Sequence, residues 1–181
     1  MKGVHCLKPR GCLMIEHRLI EKGIEKFKAE KEKLEKQHEF NPIFIDTMVD
    51  FIRTYADRTH HGKEEDILFK SLEGKSLSSK EASLMSELVE EHKYARKITG
   101  ELVKAKNAFL AGEESQKDII LSRLQSLVDL YPEHIRKEDK IFFPDTERHY
   151  STAELDKMRD DFYEFDRQMI HEKYGKTIDS V

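Results

Sequence analysis

Tryptophan is absent from this 181-residue chain, and cysteine, proline and glycine are scarce at 2, 4 and 8 residues. So few turn formers cannot supply a turn every ~8–12 residues, which disfavours a β-sandwich or barrel. A Rossmann-type sheet has no Gly-rich fingerprint to start from. Cys6 and Cys12 are not spaced as a CxxC pair, so a thiolate zinc ribbon is absent, and two free thiols near the terminus are expected in a reducing compartment. No apolar run approaches the ~18 residues of a membrane span, and Lys2, His5, Lys8 and Arg10 break up the opening stretch where a signal peptide would be apolar. A basic excess is missing too: 32 Lys+Arg against 36 Asp+Glu leave a net charge of −4, a poor basis for binding phosphates of nucleic acid. The expectation is a soluble, cytoplasmic protein with neither a nucleic-acid nor a membrane partner, monomeric or homodimeric.

Charge is what the chain has in plenty. Charged residues make up 38% and hydrophobic ones 38%, against ~25% and ~45–50% in an ordinary globular chain. Helices with a narrow apolar stripe and a wide solvated face use that ratio comfortably, so the fold class is all-α. Leu13, Ile20, Ile24, Phe27 and Leu34 recur at helical spacing and mark a first helix. Asn41-Pro42 caps a second that runs to Leu72, with Phe44, Met48, Phe51, Ile52 and Tyr55 as its stripe. Ser78 and Glu81 form a capping box that opens a third helix, which ends at Leu110 before Gly112. A fourth starts near Ser115, carries Pro132 as a kink and stops at Pro144. Short loops make neighbours antiparallel, giving an up-down-up-down four-helix bundle over residues 1–150. A second capping box, Ser151 to Glu154, opens a fifth helix over 151–181, whose Leu155, Met158, Phe162, Phe165 and Met169 pack on the bundle or at a dimer seam.

Nine histidines are many for this size, and their placement is informative. The segment His60-His61-Gly62-Lys63-Glu64-Glu65-Asp66-Ile67-Leu68-Phe69 aligns without a gap on His134-Ile135-Arg136-Lys137-Glu138-Asp139-Lys140-Ile141-Phe142-Phe143. Each has His and Glu four apart, about 40° from one another on an α-helix, so one imidazole and one carboxylate per helix reach a common point. Glu16-His17 and Glu91-His92 echo this on the first and third helices. Antiparallel residues at one height are equidistant from the turn between them, and the midpoints joining these places fall at about 40, about 77 and about 114, each on a turn signal. His17, His60, Glu64, His92, His134 and Glu138 are therefore expected in one layer. Four imidazoles and two carboxylates buried together are costly unless something neutralises them, and a metal pair does so. Imidazole with bridging carboxylate suits first-row ions, iron foremost, with zinc or manganese as substitutes. Two Glu bridging two ions, with two His on each and an oxo or hydroxo bridge, leave a position open to a small diatomic ligand.

In these four pieces the chain resembles the hemerythrin family, specifically its His-His-Glu cation-binding domain, over roughly residues 10–145. The resemblance implies a non-heme di-iron centre held by His17, His60, Glu64, His92, His134 and Glu138. It also implies binding of O2 or NO in sensing, detoxification or iron handling. The family's oxygen carriers have a further histidine one turn after the third-helix ligand, where this chain has Arg96, which implies two similarly ligated metals and counts against reversible oxygen transport. A carboxylate-rich di-iron oxidase or peroxidase is the alternative in the enzyme class, disfavoured because that group uses Glu-x-x-His pairs. A structural bundle holding zinc is a third reading. His61, ~100° from His60 on an α-helix, is expected behind the ligands or in solvent, with an extra ligand as the alternative. Lys63 and Lys137 are expected on the solvated face, and His5, His38, His149 and His171 in solvent.

Overall fold

The computed structural model describes residues 7–37 and 39–179, with side chains as far as 169. Among them there is no strand. Five helices follow in order: α1, Pro9–Lys36; α2, residues 42–72; α3, Ser79–Leu110; α4, residues 116–147; and α5, Thr152–Asp179. The expected starts and stops are local chemistry. The Asn41 side chain accepts the Phe44 N–H (3.0 Å) at the start of α2. Ser78 and Glu81 exchange side-chain bonds to each other's backbone N–H at the start of α3, and Ser151 and Glu154 do the same for α5. Gly112, at φ 99°, takes the left-handed turn after α3. α4 starts after Ser115, as expected, without a side-chain cap from it. Two expectations fail here. α2 buries Ile45, Val49, Ile52 and Ala56, while Phe44, Met48, Phe51 and Tyr55 flank that stripe half-buried. Pro144 does not end α4: the turn ahead of it is π-helical, so it sits in the first turn of the resumed α segment Phe143–Glu147, where its missing N–H is not needed.

α2 and α4 are not α-helical throughout. Ile52–His61 and Glu64–Phe69 in α2, and Glu138–Phe142 in α4, are wound as π-helix. Such wide turns are rare and concentrate at functional sites. Here they contain or adjoin both His-x-x-x-Glu motifs.

Two apolar clusters lie along the bundle. One gathers Ile20 to Leu34 of α1, Ile45 to Ala56 of α2, Ala95 to Ala105 of α3 and Ile120 to Ile135 of α4. The other gathers Cys12 and Leu13, Leu68 to Leu72, Leu88, Phe142 and Phe143, with Met158 and Phe162 of α5. α1 and α3 run from the second cluster to the first and α2 and α4 run back, which is the up-down-up-down order. α5 rests on α1 and α2 of the same chain. Each bundle helix passes from one cluster to the other through the place of its histidine, so the polar layer lies between two dry ones.

Cys12 packs in the second cluster and is disulfide-bonded, so the free thiol expected there is not present; Cys6 lies outside the described residues. Its bonded sulfur is buried among apolar side chains. Among the described residues no helix is long and apolar enough to cross a membrane.

Candidate metal centre

All six expected residues meet in the layer between the clusters, none more than 3% exposed. His17 Nε2 lies 3.2 Å from Glu138 Oε2, and His134 Nε2 lies 3.4 Å from the same oxygen. His60 and His92 Nε2 each lie 3.5 Å from an oxygen of Glu64. A seventh residue joins them. The His61 ring stacks on His92, centroids 3.8 Å apart and 11° from parallel, and is 2% exposed. His61 is therefore neither behind the ligands nor in solvent: it ends a π-helical segment, whose step per residue is somewhat below the ~100° of an α-helix, and its ring enters the layer beside that of His60. The layer thus has five histidines, the fifth coming from α2 and not from the Arg96 position on α3. The premise of two similarly ligated metals falls with it.

The donors form two groups whose ligand atoms lie within 4.8 Å of one another: His61, Glu64, His92 and His134, and His17, His60, Glu64 and Glu138. Glu64 belongs to both. Seven atoms of this layer are buried without a hydrogen-bond partner: Nε2 of His17 and His60, Nδ1 of His61, and both oxygens of Glu64 and Glu138. Each such orphan costs about 1–3 kcal/mol or more when charged. Among these orphans, the Nε2 atoms of His17 and His60 and the oxygens of Glu64 and Glu138 converge on one place, which is what a first-row cation needs, so the residues fit metal.

The opposite edge of four of these rings is fully engaged. His17 Nδ1–H donates to Asp139 (2.7 Å), His60 to Glu16 (2.9 Å), His92 to Glu65 (2.7 Å) and His134 to Glu91 (2.9 Å). A carboxylate only accepts, so each Nδ1 carries a proton, which leaves Nε2 as the inward atom whose lone pair a neutral ring offers to a metal. His61 has only a looser approach, Nδ1 to Asp57 at 3.5 Å. Every acid is in turn gripped by a cation: Asp139 by Arg18, Glu16 by Lys63, Glu65 by Arg96 (2.7 Å) and Glu91 by Lys137. Lys63 and Lys137 are buried by these bonds, not solvated as expected. His149 is half-buried where it bonds Glu81 at 2.9 Å, while His5, His38 and the side chain of His171 lie outside the described residues. Glu16 and Glu91 were legible as a glutamate directly before His17 and before His92, and Glu65 and Asp139 as the second acid of the two aligned segments.

The pattern repeats between halves. Glu16, His17, His60, Lys63, Glu64 and Glu65 play the parts of Glu91, His92, His134, Lys137, Glu138 and Asp139, so the site is an approximate twofold built from two helical hairpins.

Charge follows burial. Burial, and then the neighbouring charge of Glu138, push the Glu64 carboxyl well above the usual range. Burial would raise Glu138 too, but His134 and His17 hold it well below. Burial lowers His60 to about 4 and His61 well below the usual imidazole range. It opposes charge on His17 as well, yet Asp139 and Glu138 raise that imidazole to about 9.

No curated protein and no solved structure matches the chain. The family model for the hemerythrin HHE cation binding domain matches residues 12–146, and again 83–172, a second stretch that begins on α3 where the second hairpin begins. With three quarters of the chain inside one such match and a buried His/Glu layer able to hold metal, the protein belongs to the hemerythrin HHE cation-binding domain family.

Proposed function

We propose that the protein holds two iron ions, one near His17 and His60 and the other near His61, His92 and His134, with Glu64 and Glu138 between them, and that it binds O2 or NO there. The observation that carries this reading is Glu64 as a shared member of two buried donor groups, with both its own oxygens and the Nε2 atoms of His17 and His60 left without a hydrogen-bond partner. Such a pair, when bound, supplies electrons to a small ligand. The chain's own part is to orient and to exclude water. Glu16, Glu65, Glu91 and Asp139 fix the tautomers, while Phe143 stacked on His17 (5.8 Å) and Phe69 on His92 (6.0 Å) wall the layer on one side. With two histidines and two carboxylates against three histidines and one carboxylate, the two groups differ in donor type, and the His17–His60 side, poorer in imidazole, is the side we assign to the diatomic. Sensing, detoxification and iron handling are the roles this would serve.

Anaerobic reconstitution with ferrous iron, metal counting, and visible spectra through cycles of oxygen addition and removal, then with nitric oxide, test the proposal. Two irons per chain with a band that returns on each cycle support it. Fewer than one metal after full reconstitution, with His60→Ala and Glu138→Ala folding unchanged, overturns it.

A further inference from the structure

Lys63 and Lys137 occupy matching places in the twofold, and each ammonium is held by two carboxylates. For Lys137 both come from α3: Glu91, the acceptor of His134, and Glu87 one turn earlier (2.7 Å). The matching place one turn before Glu16 on α1 is Cys12, buried in the apolar cluster. α1 therefore offers Lys63 one carboxylate only. The second arrives from outside the bundle, from Asp166 of α5, whose Oδ1 accepts from Lys63 Nζ at 2.7 Å. The Phe162 ring of the same helix lies 5.8 Å from that Nζ, and the Phe165 ring covers Gly62 so closely that a Cβ there would fall 2.8 Å from it.

We propose that Asp166 is a positioning residue for His60, acting through Lys63 and Glu16, so that α5 completes the His17–His60 half of the centre as well as covering it. Lys63 is fully buried, and a buried ammonium held by a single carboxylate is poorly compensated. Without Asp166 it draws Glu16 toward itself, at the expense of the bond Glu16 accepts from His60 Nδ1–H. His60 then loses both its fixed ring orientation and part of the basicity that Nε2 shows to a metal. In the other half, Glu87 makes α5 unnecessary. The inference rests on the two-metal reading for its consequence, but not for the coupling itself.

Two measurements test it on the full chain. In the metal-free protein, the His60 Nδ1–H resonance of 15N-histidine-labelled wild type is expected in slow solvent exchange, accelerated in Asp166→Ala and restored toward wild type in Asp166→Glu; Glu87→Gln should leave it alone and disturb His134 instead. Under anaerobic ferrous titration against a chelator, Asp166→Ala is expected to weaken one of the two irons about tenfold, the low end of the effect of groups behind a ligand, and to leave the other unchanged. Asp166→Asn keeps the shape and removes the charge, so it serves if the alanine variant does not fold. A folded Asp166→Asn or Asp166→Ala protein with the His60 exchange rate of wild type overturns the proposal. Wild type that takes up no iron, with the exchange result as expected, overturns the functional reading and leaves the positioning role standing.

Discussion

Glu64 is placed where a carboxylate serves no structural purpose: it is fully buried, its oxygens have no hydrogen-bond partner, and Glu138 lies beside it. Glu64→Gln, which keeps the shape and cannot ionise, is expected to lose both metals. Its metal-free form should melt no lower than metal-free wild type, because burial and Glu138 already hold the Glu64 carboxyl neutral there and the amide keeps its shape; a clear drop in calorimetry would show that the acid serves the fold. His61→Ala should retain the His17–His60 iron and weaken the other by at least the about 10–100-fold that loss of a group behind a ligand costs, read by chelator competition. Six of the seven layer residues were legible because each sits at a helical spacing from its partner and at a computable distance from a turn. His61 was not, because its inward face depends on a π-helical turn that no residue of the motif announces.

At the scale of the helix, two glycines with the same local preference part company through their neighbours. Alanine in a helix interior is favoured over glycine by about 0.8–1 kcal/mol. Gly100 in α3 has open space where a Cβ would stand, so Gly100→Ala should realise that gain and raise the melting temperature by about 2–4 °C. Gly23 in α1 admits the Phe51 ring of α2, whose Cε1 would lie 2.6 Å from a Cβ. Overpacking costs about 1–3 kcal/mol and outweighs the preference, so Gly23→Ala should not stabilise and is expected to lower the melting temperature. The α3 cap gives a pH signature. The Ser78 hydroxyl, the Ser78 N–H and His149 hold Glu81 down at about 2. A carboxylate lowered on folding contributes stability that is complete above its ordinary value near 4.5 and lost as pH falls toward 2. Urea unfolding between pH 6 and pH 2.5 should show this loss in wild type, and Glu81→Gln should flatten it over that window. The cap itself was legible as a Ser-x-x-Glu spacing, since capping is settled within four residues, whereas passage of α4 through Pro144 was not, because the accommodating π-turn lies in the preceding segment.

Along the bundle an apolar cluster, the polar His/Glu layer and a second apolar cluster follow one another, and each apolar cluster draws residues from all four bundle helices. Chelator-treated protein is therefore expected to stay helical by far-UV circular dichroism. Metal at 100 times its Kd should add about 2.7 kcal/mol, or about 5–10 °C in melting temperature, and the shift should grow with metal concentration. Loss of helix on chelation would mean that the metal builds the bundle. The sequence by itself determined the helices, their alternating direction and the level at which His17, His60, Glu64, His92, His134 and Glu138 meet. Those follow from short-range spacing and from the length of chain between turns, both of which are written along one strand of residues. Only the tertiary structure decided that His61 turns inward, that Lys63 and Lys137 are buried, that Cys12 is bonded and that Asp166 of α5 reaches the Lys63–Glu16–His60 chain. Each of these depends on which groups face one another from different helices, where the cost of burying a charge is settled by partners far along the chain, 103 residues away for Lys63 and Asp166.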